Sequence, residues 1–137
     1  MAVLIVAREA ADEIDALYES DEDAAADIDF LIEQLFEDHR TLEELCLPRD
    51  HFDFEPAFEI KRFGAAQRLG KNVYSAKLRS TADNSVIPYR LLVGFDAQRD
   101  RYHVLSIAHR NHAYDTRHPH FAELLRRYDD AGIPTYR

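Results

Sequence analysis

Lys77, Arg79, Arg90, His109, Arg110, His112 and Tyr114 all fall in one stretch, Val73 to Tyr114, that reads VYSAKLRSTADNSVIPYRLLVGFDAQRDRYHVLSIAHRNHAY. Guanidinium groups match the non-bridging oxygens of a phosphate through paired N–H donors, and an ammonium group adds a point charge. An imidazole with its ordinary pKa of about 6.5 can take or give a proton near neutral pH. A tyrosine can stack on a nucleobase or assist the transfer. These residue types would therefore suit holding a phosphodiester and moving protons beside it. A metal reading arises at His109-x-x-His112 and His118-x-His120, but neither pair has the helical i, i+4 spacing and no cysteine joins them. No metal and no cofactor are assigned. Each residue also has a plainer reading. Lys77, Arg79 and Arg90 could be solvated strand residues or partners of acids elsewhere, the histidines could be surface or core residues, and Tyr114 could pack against a helix.

Three period-two runs carry these side chains: Val73 to Arg79, Tyr89 to Phe95 and Tyr102 to Ala108. In the first, Tyr74, Ala76 and Leu78 alternate with Ser75, Lys77 and Arg79, so a strand there has one apolar and one basic face. In the second, Tyr89, Leu91, Val93 and Phe95 share one parity, while Arg90, Leu92 and Gly94 share the other. The third is apolar or small on both parities, as expected of a strand covered on both sides, and it runs into His109 and Arg110. The polar run 80–85 predicts a surface loop, and Asp96 to Asp100 predicts the turn of a hairpin. Phe58 to Phe63 could be a further strand; extended structure with a turn is expected across 48–71, where Pro56 interrupts and Gly64 and Gly70 bracket AAQRL.

Upstream, Val3 to Val6 is a short β-prone run suited to a sheet edge. Ala10, Ala11, Ile14, Leu17 and Tyr18 then recur at helical spacing. Ser20, followed by Asp-Glu-Asp, predicts the cap of a second helix. Its apolar positions Ile28, Leu31, Ile32, Leu35, Phe36, Leu42 and Leu45 keep the helical period to about Leu47, before Pro48. At the far end, Pro119 suits the first turn of a helix in which Phe121, Leu124, Leu125 and Tyr128 form the apolar stripe. The pattern predicts one α+β domain over 1–137: a short N-terminal strand, two helices, an antiparallel three- to four-stranded sheet and a C-terminal helix. It divides into an acidic helical part (1–47), a sheet with a basic face (58–115) and the final helix (117–130). Helices are expected on one face of the sheet, the other being left for a partner.

The net charge of −9 conceals opposite halves. Residues 1–57 carry 18 Asp or Glu against 3 Arg, and residues 58–137 carry 8 acids against 14 Lys or Arg. A basic second half can collect phosphates, although two complementary halves could equally well attract each other. No run approaches a membrane span, and the opening MAVLIVAREAADE lacks the basic start of a signal peptide, so a cytoplasmic protein with no membrane partner is expected. The single cysteine, Cys46, between Leu45 and Leu47, is expected to be a buried thiol.

The segments VYSAKLRS, PYRLLVGFD, YHVLSIAHR and HRNHAY, in that order after a strand and paired helices, resemble the sheet core of the RelE/ParE toxin superfamily of type II toxin–antitoxin systems. The resemblance covers most of the chain and implies a small RelE-like α/β fold. For RelE-type members it implies metal-free cleavage of messenger RNA in the ribosomal A site; for ParE-type members it implies poisoning of DNA gyrase. By the same resemblance Lys77 and Arg79 match the basic strand that holds the RNA backbone, Arg90 matches the arginine of a Tyr-Arg-Leu motif, and Arg110 and Tyr114 match the arginine and tyrosine after the last strand. The chemistry assigns Lys77, Arg90, His109, Arg110 and Tyr114 to catalysis, with Arg79 and His112 binding nucleic acid. The implied partners are mRNA, the ribosome and a cognate antitoxin, and exposed apolar strands could support a homodimer. The chain departs from the family at Ser75, where a lysine is usual, in the longer 80–88 loop, and in its acidic net charge. The alternative is a non-enzymatic interaction protein of the same fold, either ParE-like or an inactive relative that binds a peptide.

Overall fold

The computed structural model describes every residue except Cys46, Pro48, Phe52 and Arg137, with the backbone alone at Arg49 and Asp50. The expectations for Cys46 and Pro48 thus lie outside the described residues. In chain order the elements are β1 (Val3–Val6), α1 (Arg8–Ser20), α2 (Glu22–Glu37), α3 (His39–Glu43), β2 (Arg49–His51), β3 (Phe58–Arg62), α4 (Gly64–Arg68), β4 (Val73–Arg79), β5 (Val86–Asp96), β6 (Arg101–His109) and α5 (Pro119–Asp130). The class is α+β. No described helix is long and apolar enough to cross a membrane.

The strands form one six-stranded sheet in the order β1-β6-β5-β4-β3-β2, wider than the three or four strands that alternation suggests. β2 to β6 pair antiparallel as a meander, and β1 closes the other edge parallel to β6. The first strand thus lies beside the last. Two features escape the sequence pattern because they are short. β2 has three residues, and AAQRL, expected to be extended, lies largely in the single helical turn α4.

The helical half also differs from its apolar spacing. Asp21, not Ser20, caps α2, its carboxylate accepting the Ala24 N–H at 3.2 Å. Asp38 ends α2 and caps α3 in the same way through the Thr41 N–H at 3.0 Å. The long helix expected to reach Leu47 is thereby split, with Asp38 satisfying an N–H that the start of α3 leaves without an intrahelical partner. Tyr18 and Phe36, on the expected apolar faces, are 37% and 48% exposed.

Helices cover both faces of the sheet, which corrects the one-sided layering. On the first face, Ile14, Leu17, Ile28, Leu31 and Leu35 of α1 and α2 pack on Phe58, Ile60, Ala76, Leu78, Leu91, Val93, Tyr102 and Val104. On the second, Leu124 and Tyr128 of α5, with Ile133 beyond it, pack on Val73, Leu92, Leu105 and Ala108. This second core is smaller and leaves the β3–β4 side of the face open. Gly94 lets α5 sit close: a Cβ there would lie 2.7 Å from Ile133 Cδ1 and 3.0 Å from Leu105 Cδ1.

Candidate nucleic-acid interface

Alternation sends Phe58 and Ile60, Tyr74, Ala76 and Leu78, and Leu91 and Val93 into the larger core. The intervening residues point to the second face. Register then fixes two rows across it. One runs Glu59, Lys77, Arg90, Ala108; its neighbour runs Lys61, Ser75, Leu92, Ser106. α5 covers the Leu92 and Ala108 end; of the polar members on β3, β4 and the start of β5, Lys61 is exposed, Glu59, Lys77 and Arg90 are half-buried and Ser75 is buried.

Lys77 and Arg90 sit directly opposite each other in the ladder. Like charges in that position repel, and in a structural role each would be expected to have a carboxylate partner. Among the described residues no carboxylate forms an ion pair with Lys77, Arg90, Lys61 or Arg110. Glu59 stands opposite Lys77 on its other side. Two acids of α1 find partners elsewhere: Arg126 pairs with Glu9 and Arg127 with Glu9 and Glu13, and both arginines also pair with acids of their own helix, Glu123 and Asp130 for Arg126 and Glu123 for Arg127. α5 thus carries part of the attraction between the oppositely charged halves.

Arg90 is anchored by its own backbone surroundings. The β4–β5 ladder shifts register between Lys77/Arg90 and Arg79/Val86, and Arg90 Nη1 donates to the carbonyls of Ile87 (3.1 Å) and Tyr89 (3.2 Å) in the irregular part. One nitrogen is used there, while the remaining donors of the fork stay available. Arg79 lies beyond the irregularity, donating to Asn84 O at 3.1 Å. The Arg110 N–H bonds Pro88 O at 2.8 Å, carrying the β5–β6 pairing one residue past β6, and its side chain is exposed.

Tyr114 returns to this face. Its hydroxyl shares a 2.6 Å hydrogen bond with Ser75 Oγ, its ring meets Phe63 edge-on at 5.5 Å, and Lys61 Nζ lies 6.0 Å from its centroid. Ser75 is 1% exposed beneath it, whereas Tyr114 remains 41% exposed. The ring is held at its hydroxyl end, with Lys61 Nζ over it.

The histidines form a separate group at the end of β6 and the start of α5. His109 has the parity of Tyr89, against whose ring it packs edge-on at 5.3 Å, on the opposite side of the sheet from Lys77 and Arg90. Its Nδ1 accepts the Asn111 N–H. His112 stacks on His118 at 4.2 Å and lies 5.7 Å from His120. His118 Nδ1 accepts the His120 N–H at 3.1 Å as the cap of α5, and His120 Nε2 is buried with no hydrogen-bond partner. Burial, reinforced by the neighbouring rings His118 and His109, holds the His112 pKa below its ordinary value. Burial does the same to His120, with Glu13 pulling weakly the other way. Among the described residues no three His, Cys, Asp or Glu side chains are grouped to hold a metal ion.

Of the residues singled out from sequence, Lys77 and Arg90 therefore face each other on one surface, with Tyr114 over the neighbouring row. Arg79 and Arg110 flank them, while His109 and His112 belong to another cluster. Glu59 and Lys61 were missed. The period-two pattern of FEIKR marks them as the polar parity of a strand, but only the ladder shows which cations they adjoin. The concavity bounded by Phe58, Glu59, Lys77, Arg79 and Val86 encloses only about 10 Å³. So shallow a surface suits an extended polyanion better than an enclosed small molecule. No protein-family model matches the chain, and no significant similarity is found to a curated protein or to a solved structure.

Proposed function

We propose that this chain is a RelE-like toxin of a toxin–antitoxin system, a metal-free endoribonuclease that cuts messenger RNA on the ribosome in the cytoplasm and is held in check by an antitoxin protein. The reading rests above all on the pair of directly opposed cations, Lys77 and Arg90, which form no ion pair among the described residues and have Glu59 across the ladder from Lys77 and Tyr114 over the neighbouring row. A phosphate between Lys77 and Arg90 would turn their repulsion into a clamp on its non-bridging oxygens.

In this reading the RNA 2′-oxygen attacks the adjacent phosphorus. The O2′–P bond forms and the P–O5′ bond breaks, giving a 2′,3′-cyclic phosphate and a free 5′-hydroxyl. Glu59, set opposite Lys77, takes the 2′-hydroxyl proton. Lys77 and Arg90 stabilise the charge on the phosphorane, while Arg110 and Arg79 hold flanking phosphates. Tyr114, tethered through its hydroxyl, serves as a stacking surface. The proton for the leaving O5′ comes from Lys77.

The decisive experiment is induced expression in bacteria followed by mapping of message 5′ ends on translating ribosomes. Growth arrest with new 5′-hydroxyl ends supports the nuclease. One observation favours the non-enzymatic alternative: His109 lies across the sheet from the cations it was expected to serve. Under that alternative, growth would arrest with intact messages, and purified protein would block gyrase supercoiling.

A further inference from the structure

Lys61 is exposed and carries a charge for which no described residue supplies an ion-pair partner. It stands directly opposite Ser75, and it is the diagonal neighbour of Lys77 across the β3–β4 ladder. Diagonal positions are about 7–8 Å apart, the scale of one nucleotide step along an extended strand. Its ammonium lies 6.0 Å from the centroid of the Tyr114 ring. Phe63 abuts that ring edge-on, and buried Ser75 holds its hydroxyl. A partly exposed ring held at its hydroxyl, with a cation on each of two adjacent strands, becomes a stacking platform between two backbone phosphates once Lys61 moves from over the ring to a phosphate.

We infer that this surface binds single-stranded nucleic acid over at least two consecutive phosphates, with Lys77 and Arg90 on one and Lys61 on the next, and with a base stacked on Tyr114 between them. Ser75 acts only through Tyr114, as a positioning residue. The inference rests on the reading of this face as a nucleic-acid interface, and what it adds is Lys61 and Ser75.

The test uses a short fluorescein-labelled 2′-O-methyl oligoribonucleotide, which lacks the attacking hydroxyl and so reports binding alone. Anisotropy titrations at several salt concentrations give both affinity and the slope of log K against log salt. For wild type, single-stranded probe should bind and the same sequence annealed to its complement should bind at least tenfold more weakly. Lys61→Ala should reduce the magnitude of the slope by about 0.7, the share of one phosphate contact on a single strand, and Lys61→Arg should restore it. Ser75→Ala should weaken binding severalfold with no change of slope, and Tyr114→Phe should match it, the double substitution adding nothing further. If wild type binds but Lys61→Ala keeps the full slope, or if duplex binds as well as single strand, this inference fails while the proposed function stands. If Ser75→Ala binds as wild type does, the positioning role fails. If wild type binds no probe and cleaves no ordinary RNA, both readings fall together.

Discussion

Arg127 and Glu13 form an ion pair that takes the place of a strand. Arg127 Nη1 donates to Glu13 Oε1 at 2.8 Å and to the Leu105 carbonyl at 2.9 Å, while the same Glu13 oxygen accepts the Ile107 N–H at 3.2 Å. β1 pairs with β6 only as far as Val6 and Val104, where the chain turns into α1. Beyond that point β6 would present unpaired backbone groups to the sheet edge. The pair satisfies one donor and one acceptor there, and it ties α1, β6 and α5 together.

Arg127→Ala or Glu13→Ala should therefore destabilise the protein well beyond an ordinary surface ion pair. Arg127 is 10% exposed at its side chain and Glu13 31%, so the cost expected for a buried pair is reduced by partial solvation to about 1–3 kcal/mol. Urea unfolding of the single and double variants checks this. The double should lose much less than the sum of the singles, since removing one partner leaves the other without its bond.

Gly94→Ala should cost about 1–3 kcal/mol by overpacking, because its Cβ would meet Ile133, Leu105 and Tyr128 where α5 seats on the sheet. Thermal melts would show it. A truncation of Ile133 to Ala in the same chain should recover part of the loss, since Ile133 Cδ1 is the nearest obstacle at 2.7 Å.

Lys77→Ala and Glu59→Gln should lower RNA cleavage by roughly a hundredfold or more while leaving melting temperatures within about a degree or two, the behaviour of half-buried groups that act on a ligand and not on the fold. Arg90→Ala should lower both activity and stability, since its Nη1 also caps the Ile87 and Tyr89 carbonyls. Arg90→Lys should rescue neither fully, because an ammonium lacks the fork that serves backbone and ligand together. Single-turnover cleavage and melting measured on the same preparations separate the two effects.

Stability should fall as pH drops below about 6.5, the unfolded imidazole value. The folded pKa values of His103, His112 and His120 are all depressed, chiefly by burial, so the unfolded chain binds more protons in this range. The contribution is fully present above the unfolded pKa and is lost as pH falls through the folded ones. His120→Gln should flatten the dependence between pH 7.5 and 5.5 in denaturant titrations, and an unchanged slope would show that the orphaned His120 Nε2 plays no part in it.

The strands that carry the candidate residues were legible because a period of two is written locally. Val73–Arg79 matches β4 residue for residue, β5 and β6 extend their runs by a few positions, and Pro119 begins α5 as its fixed φ requires. Alternation alone also placed Lys77 opposite in parity to Leu78, and Arg90 to Leu91. It could not say which strand lies beside which, since pairing is decided by hydrogen bonds between residues distant in the chain. Only the fold puts Lys77 across from Arg90, brings Glu59 and Lys61 alongside, seats Tyr114 on Ser75, and lays the first strand against the last. The acidic charge of the front half was plain from composition. Its destination was not: α5 lies on the second face because Gly94 lets it approach, and its Arg126 and Arg127 engage Glu9 and Glu13 of α1. Side-chain parity is a property of neighbours in sequence, whereas the coverage of a face depends on what the whole chain can pack against it.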